Sequence, residues 1–446
     1  MTNATADGTH KGSMKDQSAF EWRRRQNWII IGVLYALFMM SRYNYSAISP
    51  LLLSAFGWTK EDLSILETAL PFFYGLSVIV NSTIVDRIGG RKAYLLGSAG
   101  VVAANVLFGC GRWLIGGSYT PHQTALIMSC VVALNAYFQS FGAMAIIQIN
   151  AQWFRPDERG TFSAIFGILI RMGLVFAFSA VPWIAAKTSW YWGFWIPAAL
   201  VAAVAGLDYL FVTDTPEQAG YPAVIPDDAA AKRSKPTTLQ LIKGVLSNRN
   251  ILIFAVTSIM IGFVRRSVVD AWWPLYMKEV LGVAGTSLIA QAAPWGIAIC
   301  GILGGFALGP ISDRLGRRAP VISAGFVGMA LSLGIFRLIT PNSLGGWETV
   351  ACLSLLSFFV NGVHGTIMGA ASMDIGGKHG SSSAAGIFDG SQYFFAAPFT
   401  GRICGSIIQR YGWTVWKVWP IPFALAGAAL MLLVWNVQNA KRGGAH

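Results

Sequence analysis

Two arginines lie deep inside apolar segments of the chain, one in the first half of the sequence and one in the second. Arg42 and Arg266 each follow about 14 residues of apolar sequence, which is roughly 21 Å of helix, and each precedes a proline at the same spacing. Burying a guanidinium at that depth of a membrane costs at least about 2.5–3.5 kcal/mol, so such a residue normally faces water or a counter-ion. Since a planar guanidinium binds phosphate or carboxylate oxygens with two hydrogen bonds, we expect both arginines to converge on an anionic substrate.

Neighbouring charges leave alternatives to this hypothesis. Arg266 could instead pair with Asp270, four residues later on the same helix face. Arg265 points about 100° away from Arg266 on an ideal helix, so it is either a second charge behind the site or the true ligand. No acidic residue lies within a helical turn of Arg42, which favours substrate binding there.

Other charged residues also lie within apolar segments. Arg171 could be a third anion ligand, or it could pair with an acid. Asp389 could neutralise an arginine, bind an amine or hydroxyl of the substrate, or carry a proton. Glu67 could be the residue that couples transport to a proton, or it could act as a gate or packing partner. Asp270 is a second candidate for coupling.

These residues must be positioned by membrane helices. The chain has 446 residues, of which 54% are hydrophobic and only 12% charged, whereas a soluble protein carries roughly 25% charged residues. Apolar runs long enough to span a membrane occupy residues 28–52, 62–85, 93–113, 122–150, 159–185, 190–213, 250–279, 287–311, 319–340, 349–373, 382–408 and 414–437. We therefore predict an all-α membrane protein with twelve transmembrane helices.

The distribution of basic residues predicts the orientation of these helices. Loops on the side of both termini hold about three times as many Lys and Arg residues as the opposite loops, which is the pattern of cytoplasmic loops. The opposite loops carry only Lys60, Arg112, Lys187, Lys278, Arg337, Arg410 and Lys417. We expect both tails, residues 1–27 and 438–446, to be cytoplasmic, and the first to be disordered. The protein would lie in the cell membrane, the inner membrane of a bacterium, and its net charge of +13 would reflect topology and not nucleic-acid binding.

The series of spans is interrupted once, by a polar linker at residues 214–249. This linker divides the chain into two halves of six spans, residues 28–213 and 250–437, which repeat each other. Asp86-Arg87-Ile88-Gly89-Gly90-Arg91-Lys92 follows the second span, and Asp313-Arg314-Leu315-Gly316-Arg317-Arg318 follows the eighth. Parallel repeats of six spans, with a site between them, resemble transporters of the major facilitator type.

The loop from Gly309 to Arg318 resembles the signature loop of that superfamily, and the first copy departs from it at Gly90. We expect the charged residues of the two loops to form ion pairs that hold one conformation and release in the other. These gating candidates are Asp86, Arg87, Asp313, Arg314, Arg317 and Arg318. The alternative is that the basic residues only fix the topology, and neither role involves contact with the substrate.

Further motifs resemble the organophosphate:phosphate antiporters, which include the glycerol-3-phosphate and hexose-6-phosphate transporters. The motifs are Arg42-Tyr43-Asn44, Gln139-Ser140-Phe141-Gly142, Glu158-Arg159-Gly160, Asp214-Thr215-Pro216-Glu217, Arg266-(x3)-Asp270-x-Trp272-x-Pro274 and Ala384-Ala385-Gly386-Ile387-Phe388-Asp389-Gly390. The resemblance implies exchange of a phosphorylated metabolite, often against inorganic phosphate, by rocking of the halves. It also implies that Arg42 and Arg266 match the family's two essential arginines and that Tyr35, Gln139 and Tyr393 line the pocket.

The sequence departs from this family at two pocket positions. Val78 stands where the glycerol-phosphate member has a lysine, and Ile170, beside Arg171, stands where that member has a histidine linked to the substrate. These differences suggest a different organic moiety or a different position of the phosphate. The resemblance therefore predicts the class of substrate and not its identity.

The favoured function is a monomeric secondary transporter that exchanges an organophosphate for inorganic phosphate, with the lipid bilayer as its surroundings. One alternative is a proton-coupled symporter of an organic carboxylate such as a sugar acid, in which Asp389 or Glu67 carries the proton. Another is a hexose-phosphate sensor that does not transport. The sequence has no phosphate-cradling loop, metal-ligand cluster or nucleophile elbow, so we expect no enzyme activity, no cofactor and no bound metal.

Overall fold

The computed structural model describes residues 6–155, 159–224, 247–371 and 386–437. Within these ranges the chain forms a bundle of helices without a β-strand, as the apolar runs predict. The helices of the first half are α1 (Ala6–Ala47), α2 (Ser49–Phe56), α3 (Lys60–Ile88), α4 (Gly90–Gly109), α5 (Gly111–Ile115), α6 (Pro121–Trp153), α7 (Arg159–Lys187) and α8 (Trp192–Phe211). A short 3-10 helix, Glu217–Ala219, follows them.

The second half has the same architecture with more interruptions. Its helices are α9 (Arg249–Val264), α10 (Trp273–Glu279), α11 (Leu288–Leu315), α12 (Ala319–Leu338), α13 (Trp347–Gly365), α14 (386–398), α15 (Cys404–Tyr411), α16 (Trp413–Val418) and α17 (Ile421–Leu432). Three π-helical segments, Arg265–Val269, Thr366–Ala371 and Phe399–Ile403, follow α9, α13 and α14 respectively. Such wide turns occur mostly at functional sites.

Ten helices in the described ranges are long and apolar enough to cross a membrane. They correspond to all the predicted runs except the first and the eleventh. The first run, 28–52, lies in α1 and α2, and the eleventh, 382–408, begins in residues outside the described ranges. The cytoplasmic placement of both termini and the boundaries of the halves, the linker and the tails remain predictions.

The N-terminal tail differs from the prediction. We expected residues 1–27 to be disordered, but α1 begins at Ala6 and continues into the apolar run. The ring of Phe20 stacks on Trp153 with 6.1 Å between centroids, and the Arg24 guanidinium lies 5.2 Å from the centre of the Phe154 ring. Because these contacts pack residues 20–24 of the tail against the bundle, the expectation of disorder is wrong for that part of the tail.

Local capping determines where the two helices that carry Glu67 and Gln139 begin. At the start of α3, the Thr59 hydroxyl accepts a hydrogen bond from the backbone N–H of Asp62, whose carboxylate accepts one from the N–H of Thr59. Thr120 and Gln123 form the same reciprocal arrangement at the start of α6. Each cap satisfies two backbone donors that the first helical turn leaves free.

The two halves contact each other closely at the end that carries Lys60. The Lys60 ammonium lies 3.0 Å from Glu279 Oε2 of the second half. The backbone N–H of Arg402 donates to the Thr68 hydroxyl at 2.8 Å. The charge distribution predicts that this end of the bundle is outside the cell.

The two repeated loops show the predicted kind of ion pair in the second copy. Arg318 donates to the Asp313 carboxylate and, at 2.7 Å, to the Ser312 hydroxyl. Arg317 reaches Asn436 at 3.4 Å, whereas Arg314 is exposed, as are Asp86 and Arg87 in the first copy. The pairs of Arg318 lie within one half, and their role in gating stays a prediction.

The departure at Gly90 in the first copy has a structural reason. A Cβ at this position would lie 2.6 Å from the Ile149 side chain and 3.1 Å from the Asp214 carboxylate. Asp214 in turn accepts a hydrogen bond from the backbone N–H of Arg91 at 2.6 Å. The carboxylate at the start of the linker therefore occupies the space that a side chain of residue 90 would need.

Close packing of α11 against α13 leads to a test of the fold. A Cβ on Gly304 would overlap the Phe358 carbonyl, whereas a Cβ on Gly305 would meet nothing within 4 Å. We expect Gly304→Ala to separate the two helices and to lower the melting temperature of the purified protein, at a cost of about 1–3 kcal/mol.

Gly305→Ala is the matched control, because it makes the same change one residue along the same helix. It should leave the melting temperature unchanged or raise it slightly, since Ala favours the helix over Gly. Equal melting temperatures for the two variants would contradict this packing.

Candidate anion-binding site between the two halves

Arg42 lies on α1 with only 2% of its surface exposed. Its Nε and Nη2 atoms donate to Gln139 Oε1 at 3.3 and 3.2 Å, and its guanidinium lies 4.1 Å from the centre of the Tyr74 ring. No described carboxylate lies within 4 Å of it. The positive charge is therefore held by a neutral amide and an aromatic face, and it remains available for an anion.

Gln139 is positioned by the packing of α6 on α1. Its side chain is fully buried, and its Nε2 donates to the Phe38 carbonyl at 2.9 Å. One turn earlier, Asn135 donates to the Ser41 carbonyl at 3.0 Å. The bond to Phe38 uses the nitrogen of Gln139 and leaves its oxygen for Arg42, and the pocket role of Gln139 that the family resemblance implies stays a prediction.

The π-helical segment Arg265–Val269 determines how Asp270 meets the two arginines. The backbone N–H of Asp270 donates to the carbonyl of Arg265, five residues earlier, at 3.0 Å. The wider turn brings Asp270 Oδ2 to 3.0 Å from Arg265 Nε, while Arg266 Nη1 is 3.8 Å away. The pairing of Arg266 with Asp270 that the sequence suggested is therefore present, and the contact of Asp270 with Arg265 is closer.

Arg266 is also 2% exposed, and it reaches across the interface to the first half. Its Nη1 donates to the Tyr43 hydroxyl at 3.3 Å, and its Nη2 lies 3.8 Å from Glu67 Oε2. Its Nε has no hydrogen-bond partner among the described residues. A buried donor without a partner is costly, and here it belongs to a charged group that an anion could satisfy.

Glu67, on α3, is bound mainly by its own half. It accepts hydrogen bonds from the Tyr45 hydroxyl at 3.0 Å and from the Ser46 hydroxyl, and it is 3% exposed. Its contact with Arg266 joins an acid of the first half to a base of the second. This arrangement fits a coupling or gating role, and that role remains a proposal.

Aromatic side chains bring the arginines of the two halves together. The rings of Tyr74 and Tyr393 meet with 5.0 Å between centroids. Arg42 lies over the first ring, and the guanidiniums of Arg265 and Arg266 lie 5.8 and 5.9 Å from the centre of the second. Both neighbouring arginines therefore lie near the same ring, and which of them binds the substrate stays a prediction.

The remaining predicted residues surround this cluster. The Arg265 guanidinium lies 3.4 Å from the Tyr393 hydroxyl and is 13% exposed. Tyr35 is buried on α1, one helical turn before Phe38. Asp389 is half-buried on α14 and interacts electrostatically with Arg265 and Arg42. Arg171, on α7, donates to Asn361 of the second half at 2.5 Å.

Sequence reasoning missed several partners of the buried charged residues. These are Tyr43, Tyr74 and Asn361 for the arginines, and Tyr45 and Ser46 for Glu67. Tyr43, Tyr45 and Ser46 lie within four residues after Arg42 in the sequence, so their nearness was a usable signal. No local pattern marks Tyr74 and Asn361, because packing of distant helices brings them to the site.

The described carboxylates do not balance the described guanidiniums at this site. Its bases are Arg42, Arg171, Arg265 and Arg266, and its acids are Glu67, Asp270 and Asp389. A protein region with more guanidiniums than carboxylates attracts an anion. Among the described residues, no group of three or more His, Cys, Asp or Glu side chains could hold a metal ion.

The bonding of Glu67 leads to a prediction about stability. Both of its oxygens accept bonds from hydroxyl groups, and the amide nitrogen of glutamine would instead face one of these donors. We expect Glu67→Gln to lower the melting temperature of the purified protein, at a cost of about 1–3 kcal/mol.

Glu279→Gln is the control, since its carboxylate pairs with Lys60 where both side chains are partly exposed. Exposed ion pairs contribute about 0–1 kcal/mol, so this change should have a smaller effect. If the two substitutions lowered the melting temperature equally, this would contradict a stabilising role for the buried hydrogen bonds of Glu67.

Known proteins resemble the chain over nearly its whole length. It is 26% identical over 436 residues to the glycerol-3-phosphate transporter of Bacillus subtilis, covering 95% of this chain and 94% of that protein. It is 27% identical over 433 residues to the membrane sensor protein UhpC of Salmonella typhimurium, with the same coverage. These similarities confirm the resemblance to the organophosphate:phosphate antiporter group.

A solved structure shares the fold. The inward-facing, unoccupied bacterial homologue of the human lysosomal transporter Spinster superimposes with a TM-score of 0.69 and 14% identity, over 92% of this chain and 96% of that one. The sequence profile of the Major Facilitator Superfamily matches residues 31–399, most of the chain. This match confirms the predicted fold, the multi-pass location in the cell membrane and the class of transporter rather than enzyme. The chain belongs to the Major Facilitator Superfamily.

Proposed function

We propose that the protein is a secondary active transporter that exchanges an organophosphate for inorganic phosphate through alternating access. The observation that carries this proposal is that two buried guanidiniums, Arg42 and Arg266, one from each half, lie against two tyrosine rings that contact each other. The name of the Bacillus subtilis relative, a glycerol-3-phosphate transporter, supports a phosphate ester as the substrate class.

The geometry suggests how an anion would couple the halves. A phosphoryl group between Arg42 and Arg266 would accept the hydrogen bonds that these arginines now donate to Gln139 and Tyr43. Binding would draw Arg266 away from Glu67, which keeps its bonds to Tyr45 and Ser46. Since each half supplies one guanidinium, the anion is bound fully only when the halves close around it. Such binding favours an occluded state from which either side can open.

Substitution of either arginine by lysine tests the site. Lysine keeps the charge but loses the fork that binds two oxygens, so Arg42→Lys and Arg266→Lys should each lower transport at least about tenfold, as expected for loss of a charge-assisted bond. The measurement is uptake of labelled phosphate by liposomes that contain the purified protein and are loaded with phosphate.

Arg337→Lys makes the same change at an exposed position near the end of α12, and it should exchange phosphate at the normal rate. Normal uptake by both site variants would show that the phosphate does not bind between these arginines.

Alternating access predicts that the Lys60 end must open during each cycle. Cysteines in place of Lys60 and Glu279, whose charged groups are 3.0 Å apart, can be joined by a short bifunctional thiol reagent. Cross-linking should stop exchange, while a single cysteine treated with the same reagent should retain it. Full exchange by completely cross-linked protein would rule out opening at this end.

A sensor is the second candidate, because one similar protein is named as a membrane sensor. A sensor would bind phosphate esters without catalysing exchange. Ligand-induced stabilisation of the purified protein, combined with no exchange in liposomes, would favour that function.

Glu67 supports a third candidate, a proton-coupled symporter of a carboxylate, because it is a buried acid that contacts Arg266 across the halves. Uptake driven by a pH gradient into liposomes without internal phosphate would favour this symporter over the exchanger.

A further inference from the structure

We propose that Arg171 forms a second anion subsite, which binds a carboxylate of the substrate. The preferred substrates are then compact organophosphates that also carry a carboxylate. This inference rests on the proposed function and names the substrate class for that site.

Arg171 differs from the other arginines of the cluster in its partners. Its one hydrogen bond among the described residues goes from Nη2 to the neutral oxygen of Asn361, at 2.5 Å, and no described carboxylate lies within 4 Å. Arg265, in contrast, lies 3.0 Å from Asp270, and Arg266 lies 3.8 Å from Glu67. Among the described residues, Arg171 is therefore a guanidinium of the bundle without a carboxylate counter-ion.

Asn361 fixes the orientation of Arg171 from the second half. The Asn361 amide nitrogen donates to the Ser357 carbonyl at 2.9 Å and to the Ser357 hydroxyl at 2.8 Å. The same hydroxyl donates to the Ile297 carbonyl at 2.7 Å. Because these bonds use the nitrogen of Asn361, its oxygen must face Arg171. A positioned guanidinium is a better anion ligand than a mobile one, since less side-chain freedom is lost on binding.

Arg171 opens onto a cavity beside the arginine cluster. The side chain is half-buried, and the second charged group of the cavity wall is Asp270, which contacts both Arg265 and Arg266. The rest of the wall is apolar and includes Leu174, Phe178, Trp273, Pro294 and Ile297. The cavity therefore extends from Asp270, at the edge of the proposed phosphate site, to Arg171.

The chemistry of the wall distinguishes between classes of organic group. A sugar would place several hydroxyl groups against apolar side chains, and each buried hydroxyl without a partner costs about 1–3 kcal/mol. A short carbon skeleton that ends in a carboxylate would instead pack on the wall and reach Arg171. One guanidinium balances the single charge of a carboxylate, whereas another phosphate would carry a second negative charge that Arg171 alone does not balance.

Two probe compounds test this inference directly. 3-Phosphoglycerate and glycerol 3-phosphate share a phosphorylated three-carbon skeleton, and they differ in having a carboxylate or a hydroxymethyl group at the other end. Each would compete with uptake of labelled phosphate by phosphate-loaded liposomes. In the wild-type protein we expect 3-phosphoglycerate to inhibit at a concentration at least about tenfold lower than glycerol 3-phosphate. One additional charge-assisted hydrogen bond accounts for a difference of this size.

Substitutions of Arg171 should change the ratio of the inhibitory concentration of glycerol 3-phosphate to that of 3-phosphoglycerate. This ratio can be compared whatever exchange rate each variant retains. Arg171→Gln should bring the ratio close to one, and Arg171→Lys should give an intermediate ratio because it keeps the charge without the fork. Arg337→Gln is the control, since it removes an exposed arginine far along the chain, and it should keep the wild-type ratio.

A ratio near one in the wild-type protein would overturn the carboxylate subsite, as would an unchanged ratio in Arg171→Gln. The two compounds can also be compared by the concentration at which each raises the melting temperature of the detergent-purified protein by the same amount. This comparison does not depend on transport. Absence of phosphate exchange would overturn the proposed antiport alone, and the stabilisation ratio would still decide whether Arg171 binds a carboxylate.

Discussion

An excess of positive charge among the described residues between the two halves is the constraint on which the rest of the structure depends. Charge deep in a membrane protein is costly unless it is paired or faces water, yet Arg42 is held by an amide and an aromatic ring and Arg171 by another amide. The fold tolerates these groups because packed helices supply Gln139 and Asn361 in fixed orientations. An anionic substrate can supply the negative charge that Arg42 and Arg171 lack among the described residues.

The π-helical segment after α9 carries the two arginines, Arg265 and Arg266, that the second half contributes to this site. Asp270 lies closer to Arg265 than to Arg266, and Arg266 also reaches Tyr43 and Glu67 of the first half. The helix then breaks at Trp272, whose φ of 63° is unusual for a residue other than glycine. Such local strain is typical of functional sites, and here it lies directly beside the arginines.

The sequence predicted the class of fold and the two central arginines because both leave strong local signals. Long apolar runs indicate spans, and a charge within such a run stands out. The sequence suggested that Asp270 pairs with Arg266, which lies 3.8 Å from it, but the closer contact with Arg265 could not be predicted because it depends on a single π-helical turn. Nor could the contact between Arg171 and Asn361, because it joins helices from different halves. The helical tail escaped prediction because its stability comes from Trp153, far along the chain.

The central claim is that the substrate phosphate binds between the arginines of the two halves. A structure of the protein determined with a bound organophosphate tests this most directly. We expect phosphate oxygens within hydrogen-bond distance of the guanidiniums of both Arg42 and Arg266, with the bond from Arg42 to Gln139 lengthened or lost. A phosphate bound elsewhere, with Arg42 still bonded to Gln139 and Arg266 to Tyr43, would contradict the account.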